Sequence, residues 1–304
     1  MKDTVSAMKV HVYADQADIL GEGPIWSVSD QALCWLDIAK KTVYRRAPGD
    51  LRNSSVVVSD YPGCIAEISG DCLAIAMDVG VESLSLDSGA TELLCKAAGM
   101  RPGTRFNDGK VDPRGRFWVG TMQNNFGPKG EGLPVERADG TLFCFGRGQK
   151  CEAHEQNIGV SNTLAWSPDE RLFYFADSVP GAIYVYDYDV EAAALSNKRV
   201  HFNDSHYGIP DGSAIDVDGC LWNARWDGAS IIRITPDGLV DRKVDLPIPR
   251  PTSCIFGGPR FETLFVTSAS QGLSEHQLEQ YPLSGAVFAI EGLGQGMPVP
   301  RFTC

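Results

Sequence analysis

Three twelve-residue segments of this chain align with one another without a gap. They begin at Asn107, Asn162 and Asp211, so their offsets are 55 and 49 residues. Each segment joins two short apolar runs through a turn of Gly, Pro, Asp or Ser, which is the pattern of a β-hairpin. Each also begins with an amide or a carboxylate where a strand residue would be apolar. An internal repeat of this kind predicts a fold that brings equivalent polar side chains together in space.

Looser copies extend the repeat to six units. The units start near residues 23, 63, 107, 162, 211 and 252, and most of them continue into a third apolar strand. A period of about 40 to 50 residues with several strands per unit is typical of a β-propeller blade. We therefore predict an all-β fold in which residues 1–304 form a single six-bladed β-propeller domain.

The alternatives to a closed ring are a helical fold and an open solenoid. No segment sustains the helical period of about 3.6 residues beyond a turn or two, so a helical fold is excluded. A solenoid stays open as an alternative, but the apolar run at residues 10–13 could pair with the last blade and close a ring. Closure also protects the strand edges that an open repeat would expose.

The net charge and the cysteine content indicate which binding partners and which cellular compartment to expect. The formal net charge is −12, which argues against nucleic acid and anionic membranes, because Lys and Arg hold such partners. The first twenty residues lack the apolar core of a secretory signal, and no apolar run reaches the roughly 18 residues of a membrane span. Nine cysteines without a C-x-x-C pair predict buried, reduced thiols in a cytoplasmic protein. The sequence does not indicate the oligomeric state.

Polar residues at the starts of the repeats predict a metal site. The first strand of each propeller blade lines the central axis, so residues at its start converge. Four repeats place Glu22, Asn107, Asn162 and Asp211 there, with Glu22 one residue out of register. Each residue alone could merely cap a turn beside glycine. Four oxygen-bearing side chains at equivalent positions favour a hard divalent cation such as Ca²⁺, Mg²⁺ or Mn²⁺.

The segments around these residues resemble a known family. Four of them, read in order along the chain, are GEGPIW at 21–26, RFNDGKVD at 105–112, SNTLAW at 161–166 and PDG at 210–212. They look like the signature segments of the gluconolactonase, regucalcin and luciferin-regenerating family, and the likeness extends from about residue 17 to 292. The resemblance implies a six-bladed propeller that hydrolyses sugar lactones with one divalent metal on its axis.

The resemblance also implies roles for particular residues. Glu22, Asn162 and Asp211 match the metal ligands of the family, and Asp211 also matches its catalytic acid/base. Arg105 and Asn107 match the substrate-binding pair. The implied cofactor is one divalent cation, with Ca²⁺, Zn²⁺, Mn²⁺, Mg²⁺ and Fe²⁺ all open.

One segment departs from the family pattern. Some members carry an acidic substrate contact three residues after the Met of a Gly-Thr-Met triplet, whereas here Met122 is followed by Gln123, Asn124 and Asn125. An amide in place of a carboxylate leaves the identity of the sugar open. The insertion from Gln123 to Gly140 is rich in Gly and Asn, and we expect it to form a loop over one face.

The sequence therefore predicts metal-dependent hydrolysis of a small-molecule sugar lactone, such as a glucono-, arabinono-, xylono- or galactonolactone, to the open aldonic acid. One alternative is a hydrolase of the same fold that acts on other cyclic or phosphotriester-type esters. Another is a calcium-binding regulator, which the likeness to regucalcin permits. An interaction propeller of the WD type is disfavoured, because Trp226-Asp227 is the one such dipeptide in the chain. His206 is interpreted as part of a solvated loop.

Overall fold

The computed structural model describes residues 8–127, 130–146, 148 and 150–303. Its strands form six four-stranded antiparallel sheets. The first three sheets contain β2 Gly21–Ser27, β3 Ala32–Asp37, β4 Thr42–Arg46 and β5 Ser54–Val57; β6 Cys64–Ser69, β7 Cys72–Met77, β8 Gly80–Ser85 and β9 Thr91–Lys96; and β10 Thr104–Val111, β11 Phe117–Gln123, β12 Gly140–Gly146 and β13 Lys150–Ile158.

The other three sheets contain β14 Ser161–Trp166, β15 Leu172–Asp177, β16 Ala182–Asp189 and β17 Ala194–Phe202; β18 Ile209–Ile215, β19 Leu221–Trp226, β20 Ser230–Ile234 and β21 Val240–Asp245; and β22 Pro251–Gly257, β23 Thr263–Ser268, β24 Val287–Glu291 and β1 Lys9–Ala14. A 3₁₀ turn, Ser205–Tyr207, and one short helix, α1 Glu275–Gln280, interrupt the strands. Within the described residues, no helix is long and apolar enough to cross a bilayer.

The first strands of the six sheets surround a common axis. Strands β2, β6, β10, β14, β18 and β22 contact one another in that order, and β22 contacts β2 again. This closed order confirms the predicted six-bladed propeller and excludes the open solenoid. The six repeat starts inferred from the sequence lie in these strands or next to them.

The ring is closed by the first strand of the chain. Strand β1 pairs antiparallel with β24, from Lys9 opposite Glu291 to Ala14 opposite Val287. It is the outermost strand of the sixth blade, in which β22, β23 and β24 come from the end of the chain. The predicted pairing of residues 10–13 with the last blade is therefore confirmed.

The hydrophobic core is divided among the blade interfaces. The described residues contain six buried apolar clusters, and each cluster is shared by two neighbouring blades. A sheet that is apolar on both faces requires such a neighbour on each side, which explains why the strands are apolar runs. The eight described cysteines form no disulfide, and six of them are buried among these strands.

The end of the chain crosses the axis at the C-terminal ends of the innermost strands. This C-terminal strap, residues 295–303, is hydrogen-bonded to four blades, including the sixth, where the Gly296 N–H donates to Phe261. The backbone N–H of Met297 donates to Ile215, that of Phe302 to Glu67, and that of Thr303 to Gly115. Residues 297–300 line the cavities at this end of the axis. The predicted site residues lie at the other end, where the innermost strands begin.

Candidate active site

Four of the innermost strands carry a β-bulge beside the predicted site residues. The pairing with the second strand shifts between Glu22 and Ile25, between Phe106 and Gly109, between Asn162 and Leu164, and between Pro210 and Ser213. A bulge bends the strand and changes the direction of its side chains. Asn107 and Asp211 lie within these shifts, and Glu22 and Asn162 are the last paired residues before them.

All five site residues predicted from the sequence line one cavity of about 360 Å³: Glu22, Arg105, Asn107, Asn162 and Asp211. Further side chains that complete its wall include Met122, Asn125, Val135, Trp226 and Gln271. The cavity has a size and a composition suited to a small organic molecule, with apolar walls and a few converging polar groups.

Two carboxylates are buried in this cavity, and no cationic side chain among the described residues forms an ion pair with either. Glu22 and Asp211 are 8% and 6% exposed. The Glu22 Oε2 accepts a hydrogen bond from the Gly23 backbone at 3.0 Å. Burial raises the pKa of Glu22 to about 8, and the charge of Asp108 adds to this effect. Burial also raises the pKa of Asp211 well above its usual value, reinforced by the charges of Glu22 and Asp108. A bound cation would offset both the desolvation and the repulsion.

An amide oxygen completes the candidate ligand set. The Asn162 Oδ1 accepts from the Asn107 Nδ2 at 3.0 Å, while the Asn162 Nδ2 donates to the Ser178 Oγ at 2.9 Å. These two bonds fix the orientation of the Asn162 amide and leave a lone pair on its oxygen. Among the described residues, no group of three or more His, Cys, Asp or Glu side chains could hold a metal, so a site here depends on this amide. Two carboxylates and an amide oxygen fit a hard divalent cation.

Among the described residues that line the cavity, Arg105 is the one cation. Its Nε donates to the Asn125 Oδ1 at 2.9 Å, and its Nη1 donates to the Phe106 carbonyl at 2.8 Å and to the Asn107 Oδ1 at 2.9 Å. The guanidinium lies 5.2 Å from the centre of the Phe126 ring. Burial lowers the pKa of Arg105 to about 10, opposed by the charge of Glu22, so the side chain remains a cation near neutral pH.

The bulge at Asp211 is supported by buried polar side chains that were not predicted from the sequence as site residues. The Asp211 carbonyl accepts from the Thr163 hydroxyl and from the Asn223 Nδ2, the latter at 2.9 Å. The Asn223 Oδ1 in turn accepts from the Arg225 Nη1 at 2.8 Å, and both Asn223 and Arg225 are fully buried. The sequence feature that could have identified Asn223 and Arg225 is their position in an otherwise apolar strand.

A second charged pair lies behind the cavity. Burial raises the pKa of Asp108, and the neighbouring Lys110 opposes this shift. The Lys110 Nζ donates to the Ser213 carbonyl. Both residues belong to the RFNDGKVD segment, but no role was predicted for either from the sequence. These two residues carry one charge of each sign, and the charged residues that line the cavity itself, within the described part of the chain, are Glu22, Asp211 and Arg105.

The family follows from a comparison with known proteins. Residues 20–270 match the family described as the SMP-30/Gluconolactonase/LRE-like region. The chain belongs to this family. It is similar to regucalcin of Xenopus laevis, with 35% identity over 95% of this chain and 96% of the relative. It is also similar to 6-deoxy-6-sulfogluconolactonase of Pseudomonas putida, with 33% identity over 94% of this chain and 96% of the relative.

A solved structure of a luciferin-regenerating enzyme shares the fold of this family member. Its TM-score is 0.88 at 30% identity, and the match covers 98% of this chain and all 100% of the other. The resemblance inferred from the four signature segments is thereby confirmed. The metal, substrate and catalytic roles of the individual residues stay predictions.

In the segment that departs from the family pattern, Gln123 contacts the loop that follows β11, and Asn125 lies in the cavity wall. The Gln123 Oε1 accepts from the backbone of Glu136 and of Arg137, both at 2.9 Å, and thereby holds the loop that follows β11. Asn125 lines the cavity and contacts Arg105.

His206 lies in the 3₁₀ turn with a side chain that is 90% exposed, as the loop interpretation predicts.

Proposed function

We propose that the protein hydrolyses a sugar lactone to its open aldonic acid, with one divalent cation held by Glu22, Asn162 and Asp211. The observation that carries this proposal is the convergence of two buried carboxylates and an oriented amide oxygen, from three different blades, in the cavity that also contains Arg105. Such a set combines a cation site with a general base and a group that orients the substrate.

Each residue has a distinct task in this reaction. The Asp211 carboxylate takes a proton from the attacking water and returns it to the ring oxygen as the ester bond breaks. Arg105 and Asn107 bind substrate oxygens and orient the ring. When bound, a divalent cation would stabilise the negative charge that develops on the carbonyl oxygen of the lactone.

The names of the relatives support this assignment. One is a 6-deoxy-6-sulfogluconolactonase, and the family description includes gluconolactonase. The particular sugar, the particular cation and the cytoplasmic location stay predictions from the sequence.

Removal of the cation tests the proposal. The protein is treated with a chelator, and lactone hydrolysis is followed with a pH indicator before and after each of Ca²⁺, Mg²⁺, Mn²⁺, Zn²⁺ and Fe²⁺ is added. We expect chelation to abolish turnover and one or more cations to restore it. The circular dichroism of the β-structure should change little, because the six apolar clusters do not include the ligands.

The same experiment separates the alternatives. Lactone hydrolysis that persists after complete chelation contradicts a cation-dependent mechanism. Calcium binding without turnover of any lactone favours the regulator. Turnover of phosphotriesters or other cyclic esters in place of sugar lactones favours the other hydrolase.

A further inference from the structure

No carboxylate among the described residues accepts a hydrogen bond from Arg105. Arg105 is 7% exposed, and its three hydrogen bonds are to the carbonyl of Phe106 and to the amides of Asn107 and Asn125. All three acceptors are neutral. Among the described residues, none forms an ion pair with Arg105. A buried cation with neutral partners has a large desolvation penalty that an anion would offset.

Arg105 and its neighbours retain unused hydrogen-bond donors. Its three bonds use the Nε and the Nη1, and within the described part of the chain no group accepts from the Nη2. The Asn125 oxygen faces Arg105, and its Nδ2 donates to no described residue. The Gln271 Nε2, on the same cavity wall, likewise has no partner among the described groups. The Arg105 Nη2 and the Asn125 Nδ2 belong to two residues that contact each other, and donors of this kind match the oxygens of an anionic group.

The charge balance of the cavity favours the same ligand. Its charged lining residues, within the described part of the chain, are Glu22, Asp211 and Arg105. If Glu22 and Asp211 hold a divalent cation, their two negative charges are neutralised and the charge of Arg105 remains. Behind the cavity, Asp108 and Lys110 add one charge of each sign and so do not change this sum. The loaded cavity therefore carries one net positive charge.

We propose that the substrate is a lactone with a second, anionic substituent, such as a carboxylate, sulfonate or phosphate, and that Arg105 binds this substituent. Asn125 is then a specificity-determining residue, because its neutral amide holds the guanidinium without neutralising it. This inference rests on the proposed lactonase function and adds the chemical class of the substrate.

The test compares two lactones that differ in one group. D-Glucaro-1,4-lactone has a carboxylate where D-glucono-1,4-lactone has a hydroxymethyl group. We expect the wild-type protein to prefer the glucarolactone in kcat/KM by about tenfold or more. Asn125→Asp should lower kcat/KM for the glucarolactone by about 10- to 100-fold, since the new carboxylate competes for Arg105 and repels the substrate. The neutral lactone should be affected much less.

Asn124→Asp is the matched control. Asn124 is the adjacent residue, its side chain is exposed, and it is outside the cavity lining. The same added charge at this position should leave the ratio of kcat/KM for the glucarolactone to kcat/KM for the gluconolactone near the wild-type value. An equal loss of preference in Asn124→Asp and Asn125→Asp would assign the effect to general charge and overturn the proposal.

A binding measurement keeps the inference separate from the proposed function. Calorimetry of glucarate and gluconate binding to the protein, with the cation that binds, does not depend on turnover. Tighter binding of glucarate that is lost in Asn125→Asp supports the anionic-substituent site even if no lactone is hydrolysed. Equal affinity for the two acids, or a wild-type preference for the neutral lactone, overturns the inference and leaves a neutral-lactone hydrolase in place.

Discussion

Single polar residues in apolar strands determine the chemistry of this propeller. Glu22, Asn162 and Asp211 were predictable as site residues because each interrupts the apolar pattern at the start of a repeat. Asn223 and Arg225 are equally buried but lie in the middle of a second strand, where nothing in the repeat aligns them with a site. Their role follows from the hydrogen bond to the Asp211 carbonyl, which requires the three-dimensional structure.

The first prediction concerns the proton-transfer role of Asp211. Asp211→Asn should preserve the fold and much of the cation affinity, because an amide oxygen occupies the equivalent position at residue 162. It should lower kcat by about 10²–10⁴, since an amide is not a useful base near neutral pH. The measurement is kcat for lactone hydrolysis at saturating cation.

Glu22→Gln is the comparison for Asp211→Asn. It should act mainly through cation affinity and recover in part when excess cation is added. If Asp211→Asn turned over lactone at the wild-type rate with the cation bound, Asp211 would be a ligand alone and the base would lie elsewhere.

The second prediction uses a buried carboxyl outside the cavity. Asp18 is fully buried and accepts from the Trp35 indole at 3.0 Å. Burial raises the pKa of Asp18 to about 8, and the charge of Asp37 adds to this. The folded state therefore holds a proton that the unfolded state releases near pH 4, so stability falls as pH rises from about 4 to about 8.

Asp18→Asn removes this titration and should stabilise the protein more at about pH 8 than at about pH 5. The free energy of unfolding of Asp18→Asn relative to the wild type should be at least about 1 kcal/mol higher at about pH 8 than at about pH 5. Denaturant titrations at the two pH values measure it. Asp87→Asn, on an exposed turn, is the control. A gain that did not depend on pH would contradict the assignment of the titration to Asp18.

At the scale of the strand, the bulge is the element that produces the site. The strand pattern and the repeat spacing were sufficient to predict the blades. The bulges were not predictable, because a bulge depends on the register between two strands and leaves no apolar signature. In the first and fourth blades the residue after the candidate ligand has a left-handed φ, +52° at Gly23 and +51° at Thr163. The same backbone conformation thus directs Glu22 and Asn162 into the cavity.

The third prediction tests this conformation. Gly23→Ala should lower the free energy of unfolding by about 1–2 kcal/mol, because alanine is strained at a φ of +52°. The new methyl group would meet the Leu36 side chain at 3.4 Å, which is an ordinary contact. We also expect weaker cation binding, since the Gly23 N–H holds the Glu22 carboxylate. Calorimetric titration with the cation measures this effect.

Gly49→Ala provides the matched control. Gly49 has a φ of +92° and nothing within 4 Å of an added methyl group. It should lose stability through backbone strain but bind the cation like the wild type. Unchanged cation affinity in Gly23→Ala would show that the bulge does not position Glu22.

At the scale of the whole molecule, the two ends of the axis have separate tasks. The cavity lies where the innermost strands begin, and the C-terminal strap crosses where they end. In the strap, Phe302 is 3% exposed and packs against the Phe117 ring at 5.8 Å, between the second and third blades. The ring was predictable from the sequence but the strap was not, because residues 295–303 have no strand pattern and no repeat equivalent.

The fourth prediction separates stability from activity. Phe302→Ala should lower the free energy of unfolding by about 3–5 kcal/mol through the cavity it creates. It should leave kcat and KM near wild type at temperatures well below the transition, because the cavity is at the other end of the axis. Leu51→Ala, at a side chain that is 95% exposed, is the control.

Thermal unfolding of the same variants tests the proposed single domain. All of them should unfold in one cooperative transition, with the midpoint of Phe302→Ala lowered by about 5–8 °C. A second, separate transition would contradict the assignment of residues 1–304 to one domain.

The pairing of β1 with β24 also has a consequence for how the protein is made. During translation β1 leaves the ribosome before the five complete blades, and its partner strand follows them. The seam of the ring therefore stays open while the rest of the protein is synthesised, and the edge of β1 has to be kept from pairing with other chains during that time. Each blade can form as it emerges, but closure of the circle is an event that waits for the sixth.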